Sequence, residues 1–175
     1  MNRFERCQGL PKEMHPDLQN FIKFWRNKKG SRQMPDIHEI DLLEFPHLSG
    51  GLFIIDIIYE NDRPIRFQYR LAGKEMVETI GTDVNGRFLD EIFPAESYQI
   101  LMEDYQDAIN SCEPRYMSYL ETSAPNAMIL FERLLLPVGP EGADRPAYFV
   151  GLHTRTAKGT ARIADSCHPF AVRTD

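Results

Sequence analysis

The stretch from Arg66 to Phe93 constrains the fold most tightly. Phe67, Tyr69 and Leu71 alternate with Gln68 and Arg70, the period of a strand with one buried face. Gly73 stops that strand. Met76, Val77 and Ile80 then share one helical face, and Gly81 stands where a helix-ending glycine is expected. Asn85-Gly86 signals a turn. Phe88, Leu89, Ile92 and Phe93 give an apolar face to one more short helix, closed by Pro94. Two such short helices cannot bury their own apolar faces. They are expected to form a wall laid over a sheet that the rest of the chain supplies.

The remaining chain supplies that sheet. A helix is expected over Pro16 to Lys29, with proline near its first position. Leu18, Phe21, Ile22 and Trp25 form a narrow apolar stripe along it, and Gly30 ends it. Asp36-Ile37-His38-Glu39 has the spacing of a capping box. Strands are read at Leu52 to Tyr59 and Ile65 to Ala72, joined by a loop of several residues, Asn61 to Pro64. The longest helix is read from about Ala95 to Ser111. Its apolar positions are Tyr98, Leu101, Met102, Tyr105 and Ile109, continuing to Cys112. Glu103, Asp104, Gln106 and Asp107 are assigned to its polar side. Three strands follow, Arg115 to Thr122, Ala127 to Val138 and Arg145 to Thr156, with turns at Ser123–Asn126 and Gly139–Asp144.

Strands joined by tight turns run antiparallel. The order therefore predicts an α+β fold: a five-stranded antiparallel sheet with short helices and one long helix on one face, plus an N-terminal helix. At 175 residues one domain is expected: an arm over residues 1–15, the domain over 16–156 and a tail over 157–175.

Net charge is −6, which argues against a nucleic-acid partner, because phosphate binding needs a basic surface. The three cysteines, Cys7, Cys112 and Cys167, are odd in number and widely spaced. They suggest neither a disulfide framework nor a zinc site, and they fit a reducing compartment. The first residues lack the apolar core of a secretory signal, and no apolar run reaches membrane-spanning length. A cytoplasmic protein without membrane insertion is expected.

The order of elements, with Phe24-Trp25-Arg26, Met34-Pro35-Asp36-Ile37, Leu52-Phe53-Ile54-Ile55-Asp56, Tyr69-Arg70-Leu71-Ala72-Gly73, and Gly81 followed by Gly86-Arg87, resembles the PAS fold. More specifically, it is similar to the PAS_5 family of short bacterial PAS-like proteins, over roughly residues 18 to 155. The resemblance implies a sensory or signal-relay domain that encloses a small cavity and works as a homodimer or docked to a partner signalling protein.

It also bears on cofactors. Haem-binding PAS domains use a histidine on the long helix, and here that helix has none. The five histidines are His15, His38, His47, His153 and His168. The flavin photosensors of the fold carry Asn-Cys-Arg-Phe-Leu where this chain has Asn85-Gly86-Arg87-Phe88-Leu89, so the thiol that forms the flavin adduct is missing. The cofactor stays unnamed, with haem and photoactive flavin both disfavoured.

No catalytic set stands out: Ser118, Asp56, His153 and Arg70 all fall on strands, but the sequence does not bring them together. A ligand site is placed between the sheet and the helices, with Phe88, Met102 and Tyr105 from the helical side and Tyr69, Phe131 and His153 from the sheet. A neutral or weakly polar small molecule is the first expectation. If Phe67, Tyr69 and Leu71 face the helices, Arg70 faces away. Arg70 and Arg87 are expected mainly as structural ion-pair partners. Leu18, Phe21, Ile22 and Trp25 are the interface candidates, either against the sheet or across a dimer. The alternatives are a pure interaction module with a filled core and a small enzyme on a similar scaffold.

Overall fold

The computed structural model describes residues 3–7, 9–124, 127–158 and 167–171. In chain order the elements are β1 (Arg3–Cys7), α1 (Pro16–Lys29), β2 (Leu52–Glu60), β3 (Arg63–Ala72), α2 (Lys74–Ile80), α3 (Leu89–Ile92), α4 (Ala95–Ser111), β4 (Arg115–Ala124), β5 (Ala127–Val138), β6 (Tyr148–Lys158) and β7 (Cys167–Ala171). The strands form one sheet in the order β3-β2-β6-β5-β4-β1-β7, and every neighbouring pair is antiparallel. The five strands expected from the sequence are β2 to β6. The sheet is wider than expected because β1 and β7, inside the segments read as arm and tail, add to the β4 edge. Pro125 and Asn126 of the expected β4–β5 turn lie outside the described residues.

β3 and β4 are consecutive in the chain but lie on opposite sides of the β2–β6 centre. The segment α2–α4 must therefore cross one face of the sheet, and this is why all three helices sit there. On that face Phe53, Ile55, Phe67, Tyr69, Leu135 and Phe149 pack against Met76, Leu89, Leu101, Tyr105 and Ala108.

The opposite face is covered too. Leu52, Tyr116, Leu134, Leu136, Val150 and Leu152 pack against the α1 stripe. Leu18, Phe21, Ile22 and Trp25 are 0–4% exposed, and the Trp25 indole N–H donates to the Pro137 carbonyl at 2.8 Å. Burying each such side chain stabilises by about 1.5–3 kcal/mol. Packing on the sheet is thus the form the interface expectation takes. Within the single chain these four side chains are buried against its own sheet.

Local chemistry explains the ends of α1. Pro16 sits in its first turn, the His15 ring accepts from the Asp17 N–H, and Gly30 closes it at φ 55. The capping box at Asp36–Glu39 is present, on a short 3-10 turn.

The β2–β3 hairpin departs from expectation in two ways. Its turn is the tight pair Asn61-Asp62, with φ of 49 and 63, rather than a longer loop. Positive φ at both central positions matches the twist of the flanking strands. In addition, the register slips so that Ile54 faces Leu71 while Ile55 faces Tyr69, leaving Arg70 as an extra residue. The bulge sends Ala72 inward and leaves Leu71 44% exposed, which corrects the simple alternation read from Phe67 to Leu71.

Candidate functional site

Arg133 lies on β5, in the middle of the sheet, and faces α4. It is 7% exposed. Its Nη2 donates to Asp104 Oδ2 at 2.6 Å and its Nη1 to the Tyr105 hydroxyl at 3.2 Å. The Arg115 Nε also approaches Asp104 Oδ1, at 3.4 Å, and its Nη2 meets Asp107 at 3.0 Å. Asp104 therefore joins a long-helix carboxylate to guanidinium groups of two different strands. The Nε of Arg133 is buried with no hydrogen-bond partner, and a buried donor left unpaired is costly.

Register places the other side chains around it. Arg133 is opposite His153 on β6 and Met117 on β4, and Phe131 is opposite Tyr119. Rings stack along this row: Tyr119 on Phe131 with centroids 4.7 Å apart, and Phe131 on His153 at 5.4 Å. The Tyr119 hydroxyl lies 3.5 Å from His153 Nε2. Beside them, the rings of Phe67, Tyr105 and Phe149 contact one another at 5.0 to 6.2 Å.

Burial sets the protonation states. The His153 ring is pushed down to about 4, first by burial and then by Arg133 and Arg155, so it is neutral at pH 7. Burial pushes the Tyr105 phenol up to about 12. Tyr69 is held well above its usual value, by burial and then by Tyr105. The cluster offers hydrogen-bond donors and acceptors in an apolar setting, with its one buried guanidinium matched by the Asp104 carboxylate.

Of the residues selected from the sequence, the structure gathers Tyr69, Tyr105, Phe131 and His153 on the helix-facing side of the sheet. Phe88 stands apart at the sheet edge, its ring under the Arg66 guanidinium at 3.5 Å. Met102 is half-buried. It lines an open depression of about 640 Å³ with Pro64, Ile65, Glu103, Gln106 and Asp107. Asp104, assigned to the polar side of its helix, is 1% exposed, because it lies within the arc of Leu101, Tyr105 and Ala108. That acid at i+3 inside an i, i+4, i+7 apolar set was the available signal. Arg133, alone among apolar residues of β5 on its face, was the other.

Arg70 points to the opposite face. There it pairs with Asp56 at 2.9 Å and lies over Tyr148. Arg87 donates to the Glu91 carbonyl. Ser118 and Asp56 lie on the face opposite His153 by strand alternation, so the four strand residues considered as a catalytic set do not converge. The Asn85–Phe88 stretch is not helical. Its backbone runs along the free edge of β3, where Gly86 N–H donates to the Tyr69 carbonyl at 2.7 Å and Tyr69 N–H to the Arg87 carbonyl at 3.0 Å. Gly86 has φ of 75, a conformation that disfavours any side chain there. No group of three or more His, Cys, Asp and Glu among the described residues is placed to hold a metal, and among them no helix is long and apolar enough to cross a membrane.

The antiparallel sheet and its helices are consistent with the family comparison. The PAS domain model PAS_5 matches residues 13–153, and the chain belongs to that family. PAS domains are sensory and signalling modules. No curated protein and no solved structure matches the chain.

Proposed function

We propose that residues 16–156 work as one cytoplasmic sensing domain without chemistry of its own. In this reading a small, neutral or weakly polar molecule with an oxygen acceptor binds at the Arg133 cluster, and the domain passes its state to a second copy or a partner signalling protein. The observation that carries the reading is the buried Arg133 guanidinium, which holds α4 through Asp104 and Tyr105 while its Nε–H has no acceptor. A buried ion pair is a weak source of stability. Its placement between the sheet and the long helix suits an element whose position responds to what binds beside it. The raised phenols and the neutral His153 are poorly matched to proton transfer near pH 7, which speaks against the enzyme alternative.

The interaction-module reading is favoured by one observation, the ring packing of Phe67, Tyr105 and Phe149 under α4. Native mass spectrometry of the purified chain, followed by denaturing extraction, separates the two. A bound small molecule in the wild type that is lost in a folded Arg133→Met variant supports sensing. A wild-type chain of bare mass, with nothing extracted, supports the interaction module.

A further inference from the structure

A depression of about 640 Å³ opens between β3 and α4, lined by Pro64, Ile65, Met102, Glu103, Gln106 and Asp107. We propose that it docks a basic, amphipathic segment of a partner protein. An apolar side chain of that segment lies against Ile65 and Met102, and a lysine or arginine meets Glu103 and Asp107. The inference rests on the partner half of the function proposed above, and it stands whether or not the Arg133 cluster takes a ligand.

The local backbone makes this surface. A second register slip in the β2–β3 pair sets Ile58 against Arg66 and Tyr59 against Pro64, leaving Ile65 as an extra residue. Ile65 is 46% exposed there, because a bulge re-aims its side chain. Pro64 has no backbone N–H, and proline and a bulge on a sheet edge both oppose the addition of another strand. An occupant therefore docks through side chains, as an amphipathic helix does in a groove. The depression is too open to enclose a small molecule, whereas small-molecule sites bury most of their ligand.

Charge selects the occupant. α4 carries Glu96, Glu103, Asp104 and Asp107 and no lysine or arginine, and Glu103 and Asp107 are exposed. The neighbouring Arg66 is matched by Asp90 and Glu91 of α3. Across the sheet, α1 presents exposed Lys23 and Arg26. Like charges placed face to face are costly, so the α4 face is poorly suited to a two-fold contact with a second copy. A contact of α1 with α4 between copies joins unlike surfaces and gives rings or filaments rather than a closed pair. A different, basic partner fits better. The depression also connects inward. Asp107 meets Arg115 Nη2 at 3.0 Å, Arg115 Nε lies 3.4 Å from Asp104, and Asp104 meets Arg133 Nη2 at 2.6 Å. A cation docked at Asp107 competes with Arg115 and so acts on the buried pair.

The test titrates the full 175-residue chain into a fluorescein-labelled helical peptide of leucine, alanine and lysine, read by anisotropy. The same peptide with glutamate for lysine is the control. The lysine peptide should bind and the glutamate peptide should not. Glu103→Lys and Ile65→Ser, both at exposed positions, should each weaken binding about tenfold or more, while Lys23→Glu on α1 should change it by less than about twofold. Trp25 emission checks that each variant is folded. In NMR spectra the Ile65 and Met102 methyl signals should shift on binding, together with the Arg133 Nε–H. No binding, equal binding of the two peptides, or shifts centred on α1 would overturn the docking site. So would self-association of the chain that Glu103→Lys abolishes, which would give the face to a second copy. An unmoved Arg133 signal would overturn the link to the buried pair. A chain of bare mass, which sinks the sensing reading, leaves this binding intact.

Discussion

Asp104 on α4 and Arg133 on β5 meet through a 2.6 Å hydrogen bond at a point where they are 1% and 7% exposed. Removing one member of such a pair leaves a buried charge uncompensated, at a cost of about 3–5 kcal/mol. Asp104→Leu should be the costlier change, because it abandons Arg115 as well as Arg133. The double variant Asp104→Leu/Arg133→Met should recover much of the loss, as apolar replacement of a buried pair is often tolerated. Urea unfolding of the four chains measures the coupling; strictly additive losses would show that the pair does not act as a unit.

Acid sensitivity should trace in part to His153. Its folded-state pKa is depressed to about 4, while the unfolded chain titrates near the ordinary 6.5. Above 6.5 neither state binds the proton and the stability is complete. As pH falls from 6.5 toward 4, the unfolded state gains a proton that the folded state refuses, so stability drops by about 3 kcal/mol in total. His153→Gln should flatten the curve of unfolding free energy in that window relative to the wild type. An unchanged slope would mean that the imidazole is free to charge in the folded protein.

Trp25 is the single tryptophan and reports on the α1 layer directly. Its emission should be that of a buried indole and should shift to the red on unfolding. Trp25→Ala should cost about 3–5 kcal/mol. Trp25→Phe keeps most of the packing but orphans the Pro137 carbonyl, at about 1–3 kcal/mol. Water-like emission from the native chain would contradict the α1 placement.

Gly151 on β6 sits beneath the Phe53 ring of β2. A Cβ there would lie 2.0 Å from Phe53 Cζ, so Gly151→Ala must displace the ring, at about 1–3 kcal/mol. Phe53→Leu in the Gly151→Ala background should cost less than in the wild type. Thermal melts of the two single variants and the double variant test this, and equal costs in both backgrounds would rule the contact out.

Much of this architecture was legible because it rests on local periodicity. The stripe of Leu18, Phe21, Ile22 and Trp25 and the alternation of Phe67 and Tyr69 report directly which side of an element is buried. What escaped depends on register or on distant partners. Nothing within β3 announces that Arg70 is the extra residue of a bulge, since that is decided by pairing with β2. β1 and β7 are short strands whose partners lie far away in the chain. The site was half legible for the same reason. Tyr69, Tyr105, Phe131 and His153 stood out as aromatic residues on the expected elements, whereas Asp104 and Arg133 acquire meaning only from each other.

Glu132 and Arg133 are neighbours on β5, and their side chains leave opposite faces of the sheet. Arg133 is tied to α4, while Glu132 accepts from the Tyr116 hydroxyl at 2.9 Å and from the His15 N–H at the head of α1 at 3.0 Å. The two helical layers thus hang from either side of a single peptide unit.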